Sequence, residues 1–316
     1  MKAIVRDHYC SPDALTYGDV DLPPVGPTDV LVRVHAAGVD QGVWHLITGL
    51  PLLVRAVGFG LRRPKVHGIG EDVAGVVEAI GAEVTRFAVG DEVYGAADCS
   101  YAEFARTREH RILPKPAALS MAQAATVQIS GVTALKALQG LKAGDRVAVT
   151  GAGGGVGSFA VQIAKARGAH VTAVCRPAKH EFARGLGADE AYADLPPGAV
   201  FDRVVVTAGG RTVARLRAAL TPTGTLVLVG GEGFGGRLLQ GVTRQLRMLL
   251  LNPLTKQTLI PLFMSEDENA LRELHGLIEE GRVTPALDRT YPLPDTSAAI
   301  AYLRTAEVRG KLAITV

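Results

Sequence analysis

Cysteine is scarce in this chain of 316 residues: there are three, Cys10, Cys99 and Cys175, far apart and without a C-x-x-C pair. Their odd number and spacing argue against a disulfide framework and a cysteine-rich zinc lobe, and fit a reducing cytoplasm. Charge of one sign is missing too. The formal net charge is +3, from 34 Lys and Arg against 31 Asp and Glu. A dedicated nucleic-acid binder carries a basic footprint that is absent here, so no nucleic-acid partner is expected. The opening MKAIVRDHYCSPD holds no apolar run long enough for a signal peptide. One uncharged stretch, residues 147–164, has 18 residues, close to the roughly 20 that a membrane span needs. Its centre is glycine-rich, so it reads as strand, turn and helix, and no membrane span is expected.

What is present is enough apolar sequence, 47% of the chain, for about two domains with sizeable cores. The first hundred residues carry short β-branched segments, KAIVRD, DVLVRVHAAGV and VAGVVEAIG, separated by turn signals such as LPPVGPTD. From about residue 119 the rhythm changes. RVAVTG, HVTAVC, RVVVTAG and TLVLVGG alternate with helical segments of about ten residues. That alternation predicts an α/β fold with a parallel sheet covered on both faces. Residues 237–265 mix leucine with basic residues and read either as packing within the fold or as an interface or membrane-surface segment.

Residues 151–157 read GAGGGVG, five glycines in seven. A strand, a glycine turn and a helix together present free backbone N–H groups and a helix dipole to a phosphate. The strict G-x-G-x-x-G does not fit. The register ending on Gly157 has alanine, Ala152, in its first slot, and Gly151 does not rescue it, since Val156 then falls on the last glycine. The βαβ context supports dinucleotide binding. About twenty residues further on, an NAD site has an acidic residue for the ribose 2′-hydroxyl. This chain has Cys175-Arg176-Pro177-Ala178-Lys179 instead. Arg176 and Lys179 offer positive charge to a 2′-phosphate, which favours NADPH.

The order and spacing of MKAIVRDHYCSPDALTYGDVDLP, DVLVRVHAAGVD, GEDVAGVVEAIGAEVTRFAVGDEVYG, AGGGVGSFAVQIAKARGAHV, ALTPTGTLVLVGG and RGKLAITV resemble the medium-chain dehydrogenase/reductase superfamily, in its zinc-independent, quinone oxidoreductase-like branch. The resemblance covers nearly the whole chain. It implies a GroES-like β-rich catalytic domain from residues 1–118 and 285–316 and a Rossmann NADPH-binding domain from residues 119–284, with the active-site cleft where the two meet. It puts Ala152, Gly154, Gly155, Val156 and Gly157 on the pyrophosphate loop and Arg176 and Lys179 at the adenosine end. Ala208, Gly209, Gly230 and Gly231 then line the nicotinamide ribose, Thr133 sits near the nicotinamide, and Lys311 approaches the cofactor. A homodimer is implied in the same way.

Zinc-dependent relatives hold ligands where this chain has Asp40, Glu71 and Ile129, so no metal is expected. Most zinc-free relatives have asparagine in place of Asp40. The carboxylate there either hydrogen-bonds substrate when protonated or favours the positive nicotinamide product, and both readings stay open. Without zinc or an activated tyrosine to stabilise an alkoxide, the implied reaction is hydride transfer from NADPH to a quinone or an α,β-unsaturated carbonyl (an enone). Asp40, His45 and Thr133 are the candidates around the reacting centre; Trp44, Tyr94 and Tyr101 are either further contacts or packed side chains. Two alternatives stay open: an NADPH-binding redox sensor or interaction protein with little turnover, and a metal-dependent alcohol dehydrogenase with an atypical site.

Overall fold

A computed structural model describes residues 1–52, 55–56, 60–230, 242–263 and 266–316. The chain separates into two compact units. The first is Met1–Val132 with Glu266–Glu279 and Pro285–Val316; the second is Thr133–Ser265 with Glu280–Thr284. The strands are β1 (Lys2–Val5), β2 (Thr16–Asp19), β3 (Asp29–Val39), β4 (Asp72–Ile80), β5 (Glu92–Ala96), β6 (Phe104–Arg108), β7 (Ile112–Pro114), β8 (Arg146–Thr150), β9 (His170–Val174), β10 (Glu190–Tyr192), β11 (Phe201–Val206), β12 (Leu220–Val229), β13 (Thr258–Leu262), β14 (Leu287–Pro292) and β15 (Lys311–Thr315).

The first unit is the β-rich one. Its main sheet has the order β14-β15-β3-β4-β5-β7, with β6 also on β3. β15 lies antiparallel on β3, Leu312 opposite Val39, so the C-terminal tail completes a sheet begun by the N-terminal segment. Val30, Val32, Val34, Val73, Val77, Phe87, Val93 and Ile112 form one core on this sheet. Helix α1 (Gln41–Thr48) follows β3 directly, and the short α2 (Met121–Ala124) leads into α3 (Gln128–Ala137).

The second unit is a Rossmann sheet. Its order is β10-β9-β8-β11-β12-β13, and every pairing is parallel. Counted from β8, this is the 3-2-1-4-5-6 order of doubly wound nucleotide-binding sheets. The helices are α4 (Gly155–Ala166), α5 (His180–Gly185), α6 (Val213–Ala218) and α7 (Val242–Leu251). Residues 147–164 form the end of β8, the glycine turn and most of α4. Among the described residues no helix is long and apolar enough to cross a membrane.

Residues 119–132 and α8 (Glu268–Glu279) group with the first unit, whereas the bounds drawn along the sequence put them in the second. The cause is long-range. α2 packs on β3, β4 and β15, and the Ile129 N–H donates to Asp72 Oδ1 at 2.9 Å. Around α8, Arg111 grips Glu266 with two hydrogen bonds of 2.9 and 2.7 Å, Arg86 reaches Glu268 at 3.0 Å, and Tyr94 meets His275 at 3.1 Å. The last helix, α9 (Thr296–Arg304), also belongs to the first unit.

Buried charge is concentrated in the first unit. Asp72 is fully buried and Lys311 is 2% exposed. Lys311 Nζ lies 3.7 Å from Asp72 Oδ2 and donates to Ser130 Oγ at 2.9 Å. Burial pushes the Asp72 carboxyl up, and the Lys311 ammonium and the Ile129 N–H pull against it. Next to it in the chain, half-buried Glu71 is pushed up to about 7, first by desolvation and then by Asp40, Glu266 and Asp98, with Arg111 opposing. The folded carboxyl therefore keeps its proton above the ordinary 4.5 of glutamate. Its contribution is present below that value, is lost as pH rises towards 7, and stays lost above. We expect Glu71→Gln to be nearly neutral at pH 5 and to stabilise at pH 8 by about 1–2 kcal/mol, allowing for partial exposure. Urea unfolding at the two pH values measures this; an equal effect at both would show that Glu71 titrates normally in the fold.

Candidate functional site

The crevice of a doubly wound sheet opens where the strand order reverses, at the C-terminal ends of β8 and β11. Two threonines pin those ends together. Thr207 Oγ1 donates to the Thr150 carbonyl at 2.8 Å, and Thr150 Oγ1 donates to the Ala208 carbonyl at 3.0 Å. Beside them the glycine turn is held by steric necessity. Gly151 has φ +75°, and a Cβ there would meet Thr207 Oγ1 at 2.5 Å and Ala208 Cβ at 2.8 Å. A Cβ on Gly157 would stand 2.1 Å from the Gly151 carbonyl oxygen, so only glycine lets α4 approach the strand end this closely. Ala152 is fully buried. Gly154 is the N-cap of α4, and Gly155, Val156 and Gly157 form its first turn, whose N–H groups have no partner within the helix. These residues fit a pyrophosphate: small side chains, donors and a positive helix end.

Arg176 is exposed just past the end of β9, at the N-cap of a 3₁₀ turn, Pro177–Lys179. The segment that leaves β9, residues 175–179, contains no carboxylate. Lys179 sits elsewhere than its neighbour: it is 8% exposed, and a Cβ on Gly153 would touch its Cδ at 2.6 Å. Its Nζ lies 3.4 Å from the Gly153 carbonyl. The lysine therefore backs the glycine turn, and Arg176 is the cation turned to solvent.

Gly209 (φ +99°) and Gly230 (φ +70°) follow β11 and β12. Helix α7 clamps both turns. Arg244 donates to the Gly209 carbonyl at 2.8 Å and Gln245 to the Gly230 carbonyl at 2.8 Å. Gly231 lies outside the described residues. Met248 of α7 packs in the core of the sheet, so the described part of 237–265 packs within the fold, with Leu246, Leu249, Leu250 and Leu254 left exposed.

In the first unit, Asp40 is the N-cap of α1. Its Oδ1 accepts from the N–H groups of Gly42 at 2.6 Å and Val43 at 3.3 Å. His45, one turn on, gives Nδ1–H to the Leu50 carbonyl at 2.6 Å, which leaves Nε2 as an acceptor in the neutral ring. Burial pushes its pKa down, and Arg304 adds to this. Trp44 packs on the core with the Arg304 guanidinium 4.5 Å from its ring centre. Tyr101 is fully buried with its hydroxyl on the Gly38 carbonyl at 2.9 Å; Tyr94 is fully buried against His275. Thr133 is buried on α3, at the first residue of the second unit.

These residues do not fit a zinc ion. Asp40 is engaged as a cap, Ile129 has no donor atom, and Glu71 stands among Asp98, Glu266 and Arg111. Among the described residues no three His, Cys, Asp or Glu side chains group to hold a metal. Sequence reasoning missed three parts of the site. Gly151 falls outside the register of the dinucleotide pattern, although a glycine closing a strand is a turn signal in its own right. Arg244 and Gln245 carry no motif. The cap role of Asp40 was legible, since an acidic residue directly before a helix is an N-terminal signal.

Residues 26–135 match the alcohol dehydrogenase GroES-like domain family, and residues 186–314 match the family described as zinc-binding dehydrogenase; the second match does not include Asp40, Glu71 or Ile129. The mouse protein named NAD(P)H oxidoreductase RTN4IP1, mitochondrial, is 30% identical over 359 residues, covering 100% of this chain and 89% of its own. The solved quinone oxidoreductase of Coxiella burnetii is 27% identical with a TM-score of 0.83, covering 100% of this chain and 99% of that one. The mycobacterial protein Rv1454c, solved with NADPH, is 25% identical with a TM-score of 0.81 over 100% of both chains. The chain is thus an oxidoreductase of the medium-chain dehydrogenase/reductase superfamily and belongs to its quinone oxidoreductase-like branch.

Proposed function

We propose that this protein is a zinc-independent, NADPH-dependent reductase of quinones or α,β-unsaturated carbonyls. The observation that carries the reading is the pairing of a built phosphate turn with an arginine, and no carboxylate, at the end of β9. Bound NADPH supplies hydride. Gly151, Gly154, Gly155, Val156 and Gly157 hold the pyrophosphate, with Lys179 supporting the turn from behind. Arg176 takes the 2′-phosphate through a charge-assisted hydrogen bond. In this reading, which follows the resemblance, Ala208, Gly209, Gly230, Gly231 and Thr133 are assigned to the nicotinamide side, while Lys311 is engaged within the first unit by Asp72 and Ser130.

The chemistry of the first unit supports a conjugated acceptor. Alcohol oxidation needs a group that stabilises an alkoxide, and the donor atoms for zinc are not assembled. A quinone or enone spreads its developing charge onto its own oxygen. Asp40 and neutral His45 present acceptor atoms, so in this reading they shape the substrate side of the site and do not deliver protons. The partner in this reading is a small molecule; a homodimer is carried by the resemblance alone and a cytoplasmic location by the few, scattered cysteines, and the mouse relative is named as mitochondrial.

NADPH oxidation followed with a benzoquinone, a naphthoquinone, an alkenal and, in reverse, a simple alcohol tests the reading. Turnover of a quinone or alkenal that resists a chelator is expected. Tight NADPH binding without turnover would favour a binding protein, and chelator-sensitive alcohol oxidation would overturn zinc independence. Arg176→Ala should raise KM for NADPH by about tenfold, the scale of one charge-assisted hydrogen bond, and leave NADH unchanged; equal effects on both cofactors would remove the 2′-phosphate assignment. For Asp40, the cap predicts that Asn preserves stability while Ala loses about 1 kcal/mol. Thermal unfolding of D40N and D40A measures the difference, and D40N should keep kcat within about threefold of the parent, since one RT-scale change of about 0.6 kcal/mol is already that large. A D40N enzyme with intact folding and no turnover would assign the charge itself to the chemistry.

A further inference from the structure

We propose that a cavity inside the first unit is a binding site for a primary ammonium group on a short alkyl chain. The cavity holds about 180 Å³ and is lined by Gln128, Arg111, His110, Leu271 and three consecutive acids, Glu266, Asp267 and Glu268. All of these residues belong to the first unit. The site needs neither the dinucleotide nor a hydride acceptor, so it stands apart from the reductase reading. Whole small-molecule pockets start at roughly 300 Å³, so this cavity takes a ligand of a few atoms or the end of a longer one.

The wall has more acceptors than donors. Gln128, at the start of α3, is 3% exposed, and its Oε1 is buried without a hydrogen-bond partner among the described residues. An amide oxygen accepts hydrogen bonds and does not donate them. Leaving it unpaired in a buried place destabilises the fold, so a donor is missing from this wall. Glu268 shows the same surplus: Arg86 and Arg272 both bond to its Oε1, which leaves Oε2 available. The Arg111 guanidinium is already engaged, with Nε and Nη2 on Glu266 and Nη1 on Asp98.

The charge of the wall selects a cation. Three carboxylates line the cavity with one guanidinium. The negative field extends to Glu71, whose carboxyl is raised first by desolvation; Asp40 and Glu266 then each add more than Arg111 takes away. A metal ion does not match, because among the described residues no three His, Cys, Asp or Glu side chains group to hold one. An ammonium matches: its three N–H groups reach acceptors spread around a cavity, and each bond is charge-assisted. Leu271, 1% exposed, gives the alkyl stem an apolar side to lie on. His110 and Glu266 are exposed while Gln128 and Leu271 are buried, so the cavity leads inward from the surface.

Calorimetric titration of the whole protein with ethylammonium chloride at constant ionic strength tests the site. Saturable binding with a Kd of about 1–10 mM is expected, within the ceiling for a ligand of about three non-hydrogen atoms. Tetramethylammonium, with the same charge and no N–H group, should not bind. Gln128→Met, of similar length and without an acceptor oxygen, should weaken ethylammonium about tenfold, the scale of one hydrogen bond to a charged group. Its Tm should not fall, because an apolar isostere removes an unpaired polar atom. Glu268→Gln keeps an oxygen for Arg86 and Arg272, and its lost charge should weaken binding about threefold. Nα-acetyl-lysine amide carries the same ammonium on a longer stem. Tighter binding than ethylammonium assigns the cavity to a lysine side chain of a partner, and weaker binding assigns it to a free amine. No saturable binding would mean that the cavity holds only water. Equal binding of ethylammonium and tetramethylammonium would mean a general ionic effect. Unchanged ethylammonium affinity in E268Q, or in a Q128M protein of parental Tm, would place the cation elsewhere. Each of these three results overturns the proposal.

Discussion

A buried ammonium holds the first unit together. Lys311 comes from the C-terminal strand, Asp72 from β4 and Ser130 from α3, and the three meet where neither charge sees water. Removing one partner of such a pair leaves an uncompensated buried charge, which is far more harmful than losing both. The contact reaches across 181 residues between Lys311 and Ser130. Asp72 uses its other oxygen on the Ile129 N–H, so the pair also fixes the first turn of α3.

The second unit depends on an absence of side chains. Its crevice exists because Gly151 turns with positive φ against Ala208 and because α4 begins against the Gly151 carbonyl. Any Cβ at Gly157 would push the helix start away from β8. The first N–H groups of α4 would then no longer converge on one point. Two threonines stitch β8 to β11, and α7 secures the turns after β11 and β12 through Arg244 and Gln245. Among the described residues, hydrogen bonds from side chain to backbone hold the turns at Thr207–Gly209 and at Gly230.

The fold was largely legible because its signals are local. RVAVTG, HVTAVC, RVVVTAG and TLVLVGG became β8, β9, β11 and β12, each a short apolar run beside a helix. β10 and β13 carried no comparable signal. β10 is three residues with only Ala191 buried, and β13 contains Pro261 within a segment of leucine and basic residues that has no strand alternation. The grouping of α8 with the first unit was not legible at all. It rests on pairs such as Arg111 with Glu266, 155 residues apart, and no window of sequence contains both. In the site, the glycine turn and Arg176 followed from chemistry at fixed spacing. Lys179 shared that pattern but was taken by packing against Gly153.

The same contrast separates a residue type from a residue's available atoms. In the sequence, Asp40 and His45 stand out as candidates around the reacting centre. In the fold both are tied at the end that matters: the aspartate as an acceptor for two helix N–H groups, the histidine as a donor to Leu50. Yet the charge on a reduced conjugated carbonyl is already delocalised, and what it needs from the protein is a fixed dipole. Proton transfer can follow from water once the charge has formed. In a site of this kind, which atoms of a side chain remain uncommitted is a better guide to function than whether the side chain titrates.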